Sequence, residues 1–172
     1  MSTVVFALGA NLGNPYECLR RSLTLLAAHE EWALTAVSSV YVTDPVGGPE
    51  GQPPYLNAVG LAEVGFGPRT TLGLFHVVEE ACGRVHDERW GPRTLDLDLI
   101  RFDDLTSADP SLTLPHPRAY ERGFVVQPWL EVDPDAALPG IGRIDLLPAA
   151  RPDAGVRRRE DLVLAGPMGV LR

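Results

Sequence analysis

Hydrophobic and polar positions along this chain switch period several times, and each switch marks an element. Residues 3–8 (Thr-Val-Val-Phe-Ala-Leu) form a short, nearly continuous apolar run, the pattern of a buried strand. Gly9-Ala10-Asn11-Leu12-Gly13 follows as a turn, and Asn14-Pro15-Tyr16-Glu17 carries a helix start, with an Asn cap, Pro at the first helical position and an acid at the third. Leu19, Leu23, Leu26 and Ala27 then repeat at helical spacing on one face. The period returns to two over residues 34–42, where Thr35, Val37, Ser39 and Tyr41 alternate with Ala36, Ser38, Val40 and Val42.

A stretch dense in Pro and Gly, residues 44–54, separates that strand from a third at about 57–64. Gly67-Pro68 opens a second helix with a core stripe of Leu74, Phe75, Val78, Ala81 and Cys82, and Gly83 suits its end. A charged loop from Arg84 to Arg93 feeds a fourth strand at about 95–102. The order β-α-β-β-α-β predicts an α+β, ferredoxin-like fold: an antiparallel sheet with helices packed on one face. A short helix is expected over 123–131. The segment 150–172, with its Arg157-Arg158-Arg159 run, reads either as an ordered extension or as a loose tail of a single catalytic domain spanning 1–172.

Composition narrows the function. The formal charge of −8 is wrong for a general nucleic-acid binder. Its fourth strand offers Leu, Asp and Ile where an RNA-binding module of this topology needs exposed aromatics. All fifteen basic residues are arginine, so a Walker-type Gly-Lys-Ser/Thr loop is excluded. No run approaches the ~18 apolar residues of a membrane span, and the amino terminus reads as a strand, with no basic region of the kind that opens a signal peptide. A cytoplasmic monomer is expected. Cys18 and Cys82 form no CxxC motif and read as free thiols in a reducing compartment.

The most informative segment runs from Arg89 to Ile100, Arg-Trp-Gly-Pro-Arg-Thr-Leu-Asp-Leu-Asp-Leu-Ile. Residues two apart on a strand share a face, so Asp96 and Asp98 project together while Leu95, Leu97 and Leu99 point into the core. Adjacent carboxylates repel, and a hard divalent cation with oxygen ligands relieves that repulsion while leaving sites for phosphate oxygens. A solvated acidic strand face has the same spacing. Arg84, Arg89 and Arg93 precede the pair, and guanidinium groups fork onto phosphate oxygens; alone they would equally suit ion pairs with Asp87 and Glu88. Acids that bind metal, together with arginines, are what phosphoryl transfer needs, because its catalysis is positioning and charge neutralisation. His116 and Arg122, in Leu114-Pro115-His116-Pro117-Arg118 and Arg122-Gly123-Phe124, form a second cluster with the chemistry to meet a phosphate or its leaving group, although a lone histidine beside prolines reads as readily as a structural or exposed residue.

Taken together, these residues resemble the 6-hydroxymethyl-7,8-dihydropterin pyrophosphokinase family of folate biosynthesis. Matching pieces run through about 3–135 and include Gly9 to Gly13, Ser38 to Thr43, Pro53 to Asn57, Gly83-Arg84-Val85, Arg89 to Ile100, Leu114 to Arg118 and Arg122 to Phe124. The resemblance implies that a pterin hydroxyl attacks the β-phosphorus of ATP and releases AMP. It implies two Mg²⁺ ions on Asp96 and Asp98, and catalytic roles for Arg84 and Arg93 beside the two acids. ATP would be met by Glu79, Arg89, Trp90, Arg93, Ile100, Thr113, His116 and Arg122, and the pterin by Thr43, Val46, Tyr55, Asn57, Trp90 and Phe124. Trp90 and Phe124 suit a flat heteroaromatic ring, and Asn57 offers both donor and acceptor to its amide-like edge. The loops at 44–54 and 84–93 are expected to close over the substrates. His86, Asp44 and Ser111 depart from residues found in relatives at those places.

Overall fold

The computed structural model describes residues 1–45, 50–83, 94–152, 155–166 and 169–170. Its elements begin β1 (Ser2–Ala10), α1 (Pro15–Ala27), β2 (Trp32–Val37), β3 (Val40–Thr43), β4 (Tyr55–Val64), α2 (Pro68–Ala81) and β5 (Asp96–Phe102). The hairpin β6 (Ser107–Asp109) and β7 (Leu112–Leu114) follows, then α3 (Gly123–Val132), the short pair β8 (Ala137–Leu138) and β9 (Gly142–Arg143), and β10 (Val156–Arg159). The main sheet is antiparallel in the order β10-β3-β4-β1-β5, with β2 also paired to β4. This is the expected ferredoxin-like βαββαβ arrangement, widened by one edge strand.

Local chemistry explains the boundaries. Asn14 accepts the Glu17 amide through its side chain at 3.2 Å, capping α1 as its sequence predicts. Gly83, with φ +80°, follows the end of α2 in the left-handed conformation that glycine adopts without strain. The strand expected over 34–42 is broken at Ser38 and Ser39. Ser38 exchanges hydrogen bonds with Val59, its hydroxyl accepting the Val59 amide at 3.0 Å, and Glu131 accepts the Ser39 amide at 2.9 Å. Side chains thus satisfy the backbone where the ladder is interrupted.

Two cores flank the sheet. On one face Val4, Phe6 and Leu8 of β1 pack with Leu19, Leu23 and Leu26 of α1 and with Phe75 and Val78 of α2. On the other, Val5, Ala7, Val59 and Ile100 pack against Val125, Val126 and Trp129 of α3. The sheet is therefore covered on both faces, where the sequence pattern led to an expectation of one. Coverage on both sides is why β1 reads as an unbroken apolar run instead of alternating. The segment around Arg157 to Arg159 is the edge strand β10, paired with β3 in the register Val156 with Thr43 to Arg159 with Val40.

Candidate functional site

A cleft of about 950 Å³ opens at one end of the sheet. That volume lies at the upper end for small-molecule pockets. Its floor is set by register. Gly9 of β1 stands between Asn57 of β4 and Asp96 of β5, and Ala7 stands beside Asp98. A Cβ on Gly9 would come within 3.0 Å of Asn57 Oδ1, so glycine keeps the floor open between the amide and the acid.

β5 is the edge strand on this side, and it carries the acids. Asp96 and Asp98 both line the cleft, half-buried, while Leu95, Leu97 and Leu99 are buried in the opposite core. Two neighbours satisfy the strand's outer edge. Glu79, buried on α2, accepts the Leu97 amide at 2.8 Å, and the His116 amide donates to the Ile100 carbonyl at 2.9 Å. An exposed ladder edge is thereby converted into a wall of the cleft.

Arg122 and His116 meet Asp98. An Nη1 of Arg122 lies 3.6 Å from Asp98 Oδ2, and the same guanidinium sits over the Phe124 ring at 5.6 Å from its centroid. His116 Nε2 is 3.9 Å from Asp98 Oδ1, beyond hydrogen-bond reach. Burial, and next the positive charge of Arg122, push the His116 imidazole down to about 4, so at neutral pH the pair is not ionic on both sides. The Arg118 amide donates to His116 Nδ1 at 3.2 Å, which leaves the ring proton on Nε2, the nitrogen nearer the acids. His116 is therefore a neutral donor.

Across Gly9 from Asp96, the Asn57 amide donates to the Thr43 hydroxyl at 2.7 Å. Tyr55 pairs with Thr43 across the strands, and Phe124 lines the same space. The sequence-predicted residues Thr43, Tyr55, Asn57, Glu79, Asp96, Asp98, Thr113, His116, Arg122 and Phe124 all border the one cleft. Ile100 is different: its side chain is fully buried in the α3-side core, behind the wall. Val46, Arg84, Arg89, Trp90 and Arg93 lie outside the described residues, as does His86.

Sequence reading missed Leu72 and His76 of α2, which border the cleft with Glu79. Helical spacing from Glu79, back three and seven residues, points to both. It also missed Gly155 and Val156, for which no local pattern exists.

The donor set suits a hard divalent cation. Asp96 and Asp98 face the cleft from neighbouring positions of one strand face, and among the described residues no cysteine or methionine lines it. Among the described residues no group of three or more His, Cys, Asp and Glu could cage a metal ion. Mg²⁺ characteristically takes one or two carboxylates and completes its shell with water and substrate phosphates.

A doubly covered antiparallel sheet with paired acids on its edge, a guanidinium and a neutral imidazole beside them, and room for two substrates defines a phosphoryl-transfer type of site. Residues 5–134 match the family of 7,8-dihydro-6-hydroxymethylpterin-pyrophosphokinases. The chain is 38% identical to the 2-amino-4-hydroxy-6-hydroxymethyldihydropteridine pyrophosphokinase of Pseudomonas aeruginosa over 155 residues, 90% of this chain and 95% of that one. It is 41% identical to the enzyme of the same name from Bacillus subtilis, over 73% of this chain and 75% of that one. In fold it is similar to the Plasmodium falciparum HPPK-DHPS crystal structure, with a TM-score of 0.64 at 13% identity over 83% of this chain. The chain spans 44% of the length of that protein. This chain belongs to the 7,8-dihydro-6-hydroxymethylpterin-pyrophosphokinase family.

Proposed function

We propose that this chain transfers a diphosphate group from ATP to the hydroxymethyl oxygen of 6-hydroxymethyl-7,8-dihydropterin, in folate biosynthesis, with the acids of β5 as its metal ligands. The pterin hydroxyl oxygen forms a bond to the β-phosphorus. The bond from that phosphorus to the oxygen bridging to the α-phosphate breaks, AMP leaves with that oxygen, and the hydroxyl proton is released. Asp96 and Asp98 would hold two Mg²⁺ ions. Bound there, Mg²⁺ supplies charge neutralisation for the phosphates and acidifies the attacking hydroxyl.

Asp98 pairs with Arg122 and the Phe124 ring lies under its guanidinium, two contacts that hold it at the cleft, where it would meet the phosphates. His116 offers its Nε2 proton to a phosphate oxygen without adding charge. Arg84, Arg89 and Arg93 supply further phosphate contacts from the loop before β5, Arg84 and Arg93 as catalytic residues with Asp96 and Asp98. Glu79 and Thr113 meet the nucleoside; Ile100, with its side chain turned into the core, reaches it through its backbone alone. Thr43, Val46, Tyr55, Asn57, Trp90 and Phe124 hold the pterin, with the Asn57 amide fixed by the Thr43 hydroxyl so that its carbonyl faces the ring edge. The protein works as a cytoplasmic monomer. Among the described residues no helix is long and apolar enough to cross a membrane.

The observation that carries this reading is the side-by-side placement of Asp96 and Asp98 on an edge strand facing a cleft with Arg122 and His116 at its rim. Incubation with ATP, Mg²⁺ and the reduced hydroxymethylpterin should yield AMP. Asp98→Ala should lower that rate by about 10³-fold or more, since a bound metal supplies several kcal/mol of transition-state stabilisation. Its melting temperature should stay near that of the parent. Undiminished AMP formation by Asp98→Ala would refute the assignment.

A further inference from the structure

Beyond ending the sheet, β10 and the residue that leads into it bring Val156 and Gly155, from late in the sequence, to the wall of the cleft. Val156 pairs with Thr43, the residue whose hydroxyl accepts the Asn57 amide. Its Cγ2 lies 3.4 Å from where a Cβ on Gly123 would stand, so it also packs against the start of α3, next to Phe124. Val156 is half-buried and borders the cleft together with Thr43, Asn57 and Phe124.

The strand that presents it is held in register by side chains. Arg158 Nε donates to the Ser39 hydroxyl at 3.1 Å, and its Nη2 lies 3.8 Å from Glu131 Oε1. Glu131 in turn accepts from the Ser39 hydroxyl at 2.8 Å and from the Tyr41 hydroxyl at 2.8 Å. β10, β3 and α3 are thus tied at one knot beside the strand break. A slip of one residue would turn Val156 away from the cleft and Arg157 towards it. Valine is stiff about χ1, so the wall it makes does not yield easily to a larger ligand.

We infer that Val156 is a specificity-determining residue: it forms an apolar wall at the pterin end of the cleft and limits the size of ring that fits beside Thr43 and Asn57. The inference rests on the activity proposed above. A flat ring with its polar edge on Asn57 must lay a flank against this wall, and one methylene in such a contact changes selectivity by about 10–200-fold.

The test uses the full chain and steady-state AMP formation, with ATP–Mg²⁺ and the pterin varied in turn. Val156→Phe should raise the KM for the pterin about tenfold or more while the KM for ATP–Mg²⁺ changes less than about twofold. Val156→Ala, which only removes volume, should shift the kcat/KM ratio about tenfold in favour of a pterin enlarged by one methyl group on its reduced ring. Should Val156→Phe fail to fold, the Val156→Ala ratio decides alone. An unchanged ratio in Val156→Ala, or equal losses for pterin and ATP–Mg²⁺ in a folded Val156→Phe, would overturn the inference. Failure of the unsubstituted chain to form AMP is a separate result that counts against the activity itself.

Discussion

His116 shows how a single side chain takes its chemistry from its surroundings. Its amide is fixed on the edge of β5 and its Nδ1 accepts from Arg118, so the donor nitrogen faces Asp98 and the cleft. Burial and Arg122 lower its proton affinity. In the unfolded chain the imidazole titrates near its ordinary 6.5, and in the fold near 4. Between those values the unfolded chain holds the extra proton, so the stability tied to neutral His116 is complete above about 6.5 and is lost as pH falls towards 4. Urea unfolding of metal-free protein should show the midpoint dropping further between pH 7 and pH 5 in the parent than in His116→Gln. Equal drops would contradict a buried neutral ring. Because an amide can replace a neutral N–H donor, His116→Gln should keep more activity than His116→Ala, which should lose about 10²-fold or more.

At the scale of elements, the apolar run of β1, the stripe of α1 and the Phe75 and Val78 positions of α2 were legible because they are local periodicities; Ala81, expected in the α2 stripe, is exposed, and the polar Thr71 and Glu79 are buried instead. The Asp96 and Asp98 pair was legible for the same reason: strand alternation alone puts both acids on one face. Two features had no such signal. The break at Ser38 and Ser39 depends on Val59 and Glu131, residues far along the chain that repair the backbone there. β10 likewise depends on pairing with β3, and a run of three arginines reads equally as an ordered extension or a loose tail until that partner and Glu131 are known. Packing between strands gives a sharp test. Gly60 of β4 faces Phe6 of β1, and a Cβ there would lie 2.4 Å from the Phe6 ring. Phe6 is fully buried against Trp32 and Phe75, at centroid distances of 5.2 Å and 5.7 Å, so it cannot step aside freely. Gly60→Ala should destabilise the fold by about 1–3 kcal/mol, read as a lower denaturation midpoint. A midpoint equal to the parent's would show that this core is looser than its contacts imply.

For the molecule as a whole, a chain with a formal charge of −8 must attract a highly charged anion. Net charge does not decide this; the local field in the cleft does. On the proposed assignment, the acids of β5 would repel a bare triphosphate and attract one that brings divalent metal with it, which would make the cation a condition of binding as well as of chemistry. Equilibrium binding of a non-hydrolysable ATP analogue, with and without Mg²⁺, therefore separates metal-bridged from metal-free binding when the parent is compared with the Asp96→Asn, Asp98→Asn double variant. The double variant should bind the Mg²⁺ complex about tenfold or more weakly and the metal-free analogue more tightly than the parent does. Equal affinity of the two proteins for the Mg²⁺ complex would contradict the account.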